Sequence, residues 1–278
     1  MTVESHRITV AGVGTHYLEA GKGDTLILIH GGGAGADARG NWDACISHYA
    51  AQFRVIAVDM PGFGQSDKPD PKLYSYGQTG RNNHMIEFIQ AVANKPVHLI
   101  GNSMGGATAL GVSIQRPDLV RKLVLMGAAG LDISNPDPEP RKALGGYDFT
   151  AGGMRRLIEA LAAPSFKITD EMIAYRHALT VQPGSREAIS AIHEHLKADP
   201  MTYAREAIAS VKTPTLVVGG KLDKIAVLQR IYGYLELMPN SWGFILPHAG
   251  HWVMLEAPQE FVAVTSMFFS DELFRVPQ

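Results

Sequence analysis

The sequence predicts an α/β fold: a mostly parallel central sheet with helices on both faces and a helical insertion. Three observations predict it. Short apolar runs ending in turn residues recur along the chain. Helical stretches alternate with them. The alternation stops once, near residue 134, and resumes near residue 214.

The runs are TLILIHGG, RVIAVDMPG, VHLIGNS, KLVLMGAAG, TLVVGGK and WGFILPHAG. They are too short for core helices and rich in Val, Ile and Leu, the pattern of strands buried on both faces. Between them GRNNHMIEFIQAVAN, GATALGVSIQRP and APQEFVAVTSMFF have helical patterns, and alternation of the two element types gives a doubly wound sheet. The opening HRITVAGVGTHYLEAG predicts two strands around Gly12 and Gly14, an antiparallel edge. Residues 134–140, SNPDPEP, carry three prolines and cannot continue a strand or helix. From about 150 to 210 the pattern is almost wholly helical, with AGGMRRLIEALAAP, TDEMIAYRHALT, GSREAISAIHEHL and MTYAREAIASV as candidates. The expected organisation is therefore a core over 1–133, a helical lid over 134–210, and a return to the core over 211–278.

Composition narrows the function classes. The chain has 278 residues, 46% hydrophobic and 19% charged, with a formal net charge of -2 and scattered Lys and Arg. That argues against nucleic acid or an anionic membrane as the main partner. One cysteine, Cys45, allows no intramolecular disulfide and reads as a buried inert thiol. The start MTVESHRITV lacks a signal-peptide pattern, and no stretch approaches the ~18 apolar residues of a membrane helix. A cytoplasmic protein is expected.

The chemistry concentrates at strand ends. Gly101-Asn102-Ser103-Met104-Gly105 fits G-x-S-x-G between a strand and a helix. Such a turn lifts a serine hydroxyl above the sheet and aims the N–H of Met104 and the helix start at the space above it. The run His30-Gly31-Gly32-Gly33-Ala34-Gly35 ends an earlier strand. Its glycines let a backbone N–H, of Gly32 or Gly33, serve as a second oxyanion donor. A dinucleotide-binding reading of the same run competes, since the next strand ends in Asp59. Against it, ADARGN separates the glycines from a helix expected to begin near Trp42, and no G-K-[ST] follows.

A serine nucleophile needs a base, and the base an orienting acid. His251 follows the last strand in a glycine-turned loop, and Asp223 follows the strand before it. His248 reads as structural, and Asp132 is a substitute acid. Asp59, Ser66 and Asp67 read as parts of a shaping turn. His193 and His195 stand two apart on a helix and cannot pair as metal ligands. No metal and no cofactor are expected.

These motifs resemble the α/β-hydrolase family over nearly the whole chain, with serine, acid and histidine in that family's chain order. GNSMGGATAL, HGGGAGA, GHW and DEMIAYRHALT are similar to a narrower group, the meta-cleavage product hydrolases, and most to the branch serving carbazole, cumene and dioxin-type degradation. The resemblance implies C–C bond hydrolysis in a 2-hydroxy-6-oxo-dienoate, giving 2-hydroxypenta-2,4-dienoate and a carboxylic acid. It implies that Arg176 pairs with the substrate carboxylate, that Asn102 hydrogen-bonds the same end, that Trp252 walls the dienoate chain, and that Asn41 matches the asparagine after the glycine run. The sequence departs from the family at KIAVL after Asp223, where Val-Pro is usual, and at Ala34, where proline is frequent. The alternative is a carboxylesterase or lactonase with the same triad; a ligand receptor on this fold is a further class. The small-molecule substrate is the expected partner, with self-association as a dimer or higher. Phe149, Met154, Leu157, Phe166 and Met172 are apolar lid residues that would accept phenyl or alkyl at C6, or are plain packing.

Overall fold

The computed structural model describes residues 2–270; Met1 of the 1–133 segment and residues 271–278 of the 211–278 segment lie outside it. Eight strands form one sheet: β1 (Glu4–Val10), β2 (Val13–Ala20), β3 (Thr25–Ile29), β4 (Arg54–Val58), β5 (Val97–Asn102), β6 (Val120–Met126), β7 (Thr215–Gly220) and β8 (Ser241–Leu246). Their order is β1-β2-β4-β3-β5-β6-β7-β8. The first two strands make an antiparallel edge, with β2 also antiparallel to β4. All pairs from β4 to β8 are parallel.

Parallel pairing forces crossovers, and helices supply them. These are α1 (Ala38–Tyr49), α2 (Gln78–Val92) and α3 (Met104–Gln115), then, after the insertion, α9 (Leu228–Leu237); α10 (Val253–Glu256) and α11 (Pro258–Phe269) follow the last strand. Alternate residues of β3 feed opposite cores. Leu26 and Leu28 pack with Trp42 and Tyr49 of α1 and Phe261 and Phe268 of α11. Ile27 and Ile29 pack with Phe88 of α2 and Leu110 of α3 on the other face. This is why the strand runs read as continuously apolar rather than alternating.

Between β6 and β7 the elements are all helices: α4 (Glu139–Gly145), α5 (Ala151–Leu161), α6 (Asp170–Thr180), α7 (Ser185–Ala198) and α8 (Arg205–Ala209). Met154, Leu157, Ile158 and Leu161 sew α5 into the core that holds Trp42. Met154 and Leu157 are fully buried, and Phe149, Phe166 and Met172 pack against the same cluster. Packing is thus the role of all five.

One boundary differs from the sequence reading. The first helix starts at Ala38 rather than near Trp42, because Asp37 caps it: its side chain accepts from Gly40 N at 2.7 Å. An aspartate cap outweighs the poor helix propensity of Gly40. No described helix is long and apolar enough to cross a membrane. Cys45 is buried, and desolvation pushes its thiol up to about 12.

Candidate active site

The carboxyl ends of β3, β5, β7 and the loop after β8 converge on a cavity of about 430 Å³ lined by Gly32, Gly33, Asn41, Asn102, Ser103, Met104, Arg176, His251 and Trp252, among others. Ser103 sits between β5 and α3 with φ 53° and ψ −114°, a conformation L-residues rarely adopt. Its backbone is held on both sides: its N–H donates to the Met126 carbonyl at 3.1 Å, and its carbonyl accepts from Ala107 and Ala129. The flanking glycines are obligatory. A Cβ on Gly101 would lie 2.3 Å from the Gly105 carbonyl oxygen, and one on Gly105 2.4 Å from that of Ile29. Met104 opens α3, so its N–H belongs to the first turn, whose donors lack intrahelical partners.

The glycine run lies against this turn. A Cβ on Gly32 would come 2.8 Å from Met104 Sδ, whereas Gly33 has only ordinary contacts, with Leu157 and Leu161. His30 ties the run down. Its Nδ1–H donates to the Gly31 carbonyl at 2.6 Å and its Nε2 accepts from Met60 N at 3.0 Å. Burial pushes its pKa down, in keeping with a neutral ring.

Asp223, past β7, and His251, past β8, meet at 2.7 Å between Oδ2 and Nδ1, both buried. A carboxylate only accepts, so Nδ1 carries the hydrogen of this bond and Nε2 is the ring nitrogen that Asp223 does not engage. Burial pushes the Asp223 carboxyl up. The His251 contact and the N–H groups of Ala226 and Ile225 outweigh it, and the net shift is downward. Asp132 lies elsewhere on the cavity wall, and His248 is surface-exposed beside Glu260.

Glu256 was not singled out from the sequence. Its Oε2 accepts from Gly250 N and Ala163 N, and its Oε1 from Trp252 N, all within 2.9 Å. It therefore grips the residues on both sides of His251, and the His251 N–H itself bonds the Leu161 carbonyl at the end of α5. An acid five residues after a loop histidine was the available signal.

The same cavity also holds a polar group of side chains. Arg176 is 2% exposed, and its guanidinium lies 4.6 Å from the Trp252 ring centroid. Desolvation pulls its pKa down to about 10. Its Nε, Asn41 Oδ1 and Asn102 Oδ1 are buried without hydrogen-bond partners among the described residues. Asn102 Nδ2 donates at 3.3 Å to the Met126 carbonyl and at 3.4 Å to that of His251. One cavity thus brings together Ser103, His251 and, behind the histidine, Asp223 with the amides of Asn41 and Asn102 and the guanidinium of Arg176. Such a site can form and hydrolyse an acyl intermediate next to a bound anion.

The alpha/beta hydrolase family model matches residues 26–264. The chain belongs to the alpha/beta hydrolase family. Within that family it is 45% identical over 265 residues to 2-hydroxy-6-oxo-6-(2'-aminophenyl)hexa-2,4-dienoic acid hydrolase of Metapseudomonas resinovorans, covering 95% of this chain and 90% of the relative. It is 32% identical to 2-hydroxymuconate semialdehyde hydrolase of Pseudomonas sp. strain CF600, covering 95% and 93%. A crystal structure of a serine hydrolase involved in carbazole degradation superposes with a TM-score of 0.89 at 44% identity, covering 97% of this hydrolase and 99% of that chain.

Proposed function

We propose that the protein hydrolyses a C–C bond in 2-hydroxy-6-oxo-hexa-2,4-dienoates, releasing 2-hydroxypenta-2,4-dienoate and a carboxylic acid. The observation that carries the reading is the set of unpartnered buried polar atoms on Asn41, Asn102 and Arg176 in the same cavity as Ser103 and His251. Leaving buried polar atoms unpaired costs roughly 1–3 kcal/mol each; the Arg176 Nε–H can donate to a ligand carboxylate, and an amide oxygen can accept from the enol hydroxyl beside it. A simple ester needs none of them, which is the argument against a plain carboxylesterase. The names of the relatives point to the same substrate class.

In this mechanism Arg176 and the Asn41 side-chain N–H donate to the substrate carboxylate, Asn102 Oδ1 accepts from the enol hydroxyl, and Trp252 walls the dienoate chain. The dienol first becomes a ketone by proton transfer to C5, which sets an electron sink next to the bond to be cut. Ser103 then attacks the C6 ketone as His251 Nε2 takes its proton, with Asp223 orienting the ring. The oxyanion rests on N–H groups of Met104 and of Gly32 or Gly33. The C5–C6 electrons pass into the ketone, the dienolate takes the proton held by His251 and leaves as the dienol, and a water that gives its proton to His251 attacks the acyl group, which leaves as the acid while His251 returns that proton to Ser103. The C6 group occupies the apolar wall of Leu144, Leu161, Ile192, Leu196 and Met201. The cavity volume falls within the ~300–1,000 Å³ of small-molecule sites.

The test is to mix the protein with a panel of yellow ring-fission products, follow the loss of visible absorbance, and identify the acid and the pentadienoate. Turnover of esters with no dienoate consumed would overturn the reading.

A further inference from the structure

We propose that Asp37 is a positioning residue that fixes Asn41 and Arg176 in one geometry, using Tyr175 as its link to the lid. The proposal rests on the reading of those two side chains as the holders of the substrate carboxylate. Asn41 and Arg176 lie on different elements, α1 of the core and α6 of the insertion, and a carboxylate can be read only if their spacing is set.

Asp37 touches both elements. It is 4% exposed at the N-cap of α1. Its Oδ1 accepts from Gly40 N at 2.7 Å and its carbonyl from Asn41 N at 3.2 Å, which fixes the turn that carries Asn41. Its Oδ2 accepts from the Tyr175 hydroxyl at 2.5 Å, and Tyr175 immediately precedes Arg176. The backbone is closed over the same joint. Gly35, at φ +72°, runs so near α6 that a Cβ there would sit 2.3 Å from the Arg176 carbonyl oxygen.

A helix cap alone would not need the second oxygen to reach the lid. Nor is the carboxylate a cheap one to keep: burial, and then the charge of Asp59, push its pKa up. Its charge is also the foremost influence opposing the desolvation of the Arg176 guanidinium. Arg176 nevertheless forms no ion pair among the described residues. Asp37 thus steadies the cation while leaving it available to a ligand.

Kinetics on paired substrates, a dienoate and a neutral ester, test this. Tyr175→Phe removes only the hydroxyl and should raise KM for the dienoate about ten-fold, with kcat and the ester KM changed less than about three-fold. Asp37→Asn retains a capping oxygen for Gly40 and should reproduce that split, whereas Asp37→Ala should also lower Tm. In an Arg176→Ala background, Tyr175→Phe should add nothing to the dienoate KM. Equal losses on dienoate and ester, or an undiminished effect in that background, would overturn the positioning role. If Arg176→Ala alone left dienoate kinetics unchanged, the carboxylate reading would fall first, and the role of Asp37 with it.

Discussion

Replacing Arg176 by alanine separates C–C hydrolysis of dienoates from ordinary ester hydrolysis. The guanidinium is buried, stacked on Trp252, and its Nε lacks a partner among the described residues. An exposed ion pair contributes only about 0.2–1 kcal/mol. Removing one partner of a buried pair costs roughly 3–5 kcal/mol, because the other charge stays desolvated. Burial decides for the larger figure here. Arg176→Ala should therefore lower kcat/KM for a dienoate by roughly 150- to 5000-fold, at about 1.4 kcal/mol per decade. A neutral ester such as p-nitrophenyl acetate makes no use of the guanidinium and should lose less than about three-fold. The assay is steady-state kinetics on both substrates with one preparation, checked by thermal melting. Parallel losses on both substrates would show that the residue supports the fold and does not read a carboxylate.

Three further outcomes are expected. Glu256→Ala frees the N–H groups of Gly250 and Trp252 on either side of His251; kcat on dienoate and ester alike should fall about 10- to 100-fold, and a variant with wild-type kcat would contradict the positioning of the histidine loop. Cys45 should resist a thiol reagent such as dithiobisnitrobenzoate in the native state and react fully in denaturant, since burial pushes its thiol up to about 12; fast native labelling would contradict this. Burial pushes Asp59 up, but its bond to His16 and its other contacts bring it below the usual carboxylate value, and Asp223 is lowered likewise. Both then contribute stability that is fully present above pH ~4 and is lost as pH falls through their native values. Urea titrations should show stability declining below about pH 4, and Asp59→Asn should flatten that decline.

The sequence showed most clearly what short-range chemistry dictates. Ser103 was legible because a strand, two glycines and a helix start are consecutive, and the strained turn needs each of them. Asp223 and His251 were legible because both follow apolar runs whose parallel neighbours bring their ends together. Asn41, Asn102, Arg176 and Trp252 came from resemblance, and the structure brings all four to the cavity holding Ser103. What escaped depends on partners far along the chain. Asp37 and Tyr175 lie 138 positions apart, and Glu256 and Ala163 lie 93 apart. The helix start at Ala38 was missed because Gly40 suggested loop, while Asp37 supplied a cap. The lid residues first considered for the C6 group proved to be packing, since helical spacing finds an apolar face but not what that face meets. Leu161 and Ile192 border the cavity, whereas Met154 and Leu157 lie in the core.

The Ser103 hydroxyl, in the proposed mechanism, carries the bond cleavage. Single-turnover absorbance measurements on Ser103→Ala, with a dienoate that the unmodified protein consumes, test it most directly. The variant should bind the dienoate, with a shift of its visible band, and release no pentadienoate on the timescale of the unmodified protein. Cleavage by Ser103→Ala at the unmodified rate would contradict it.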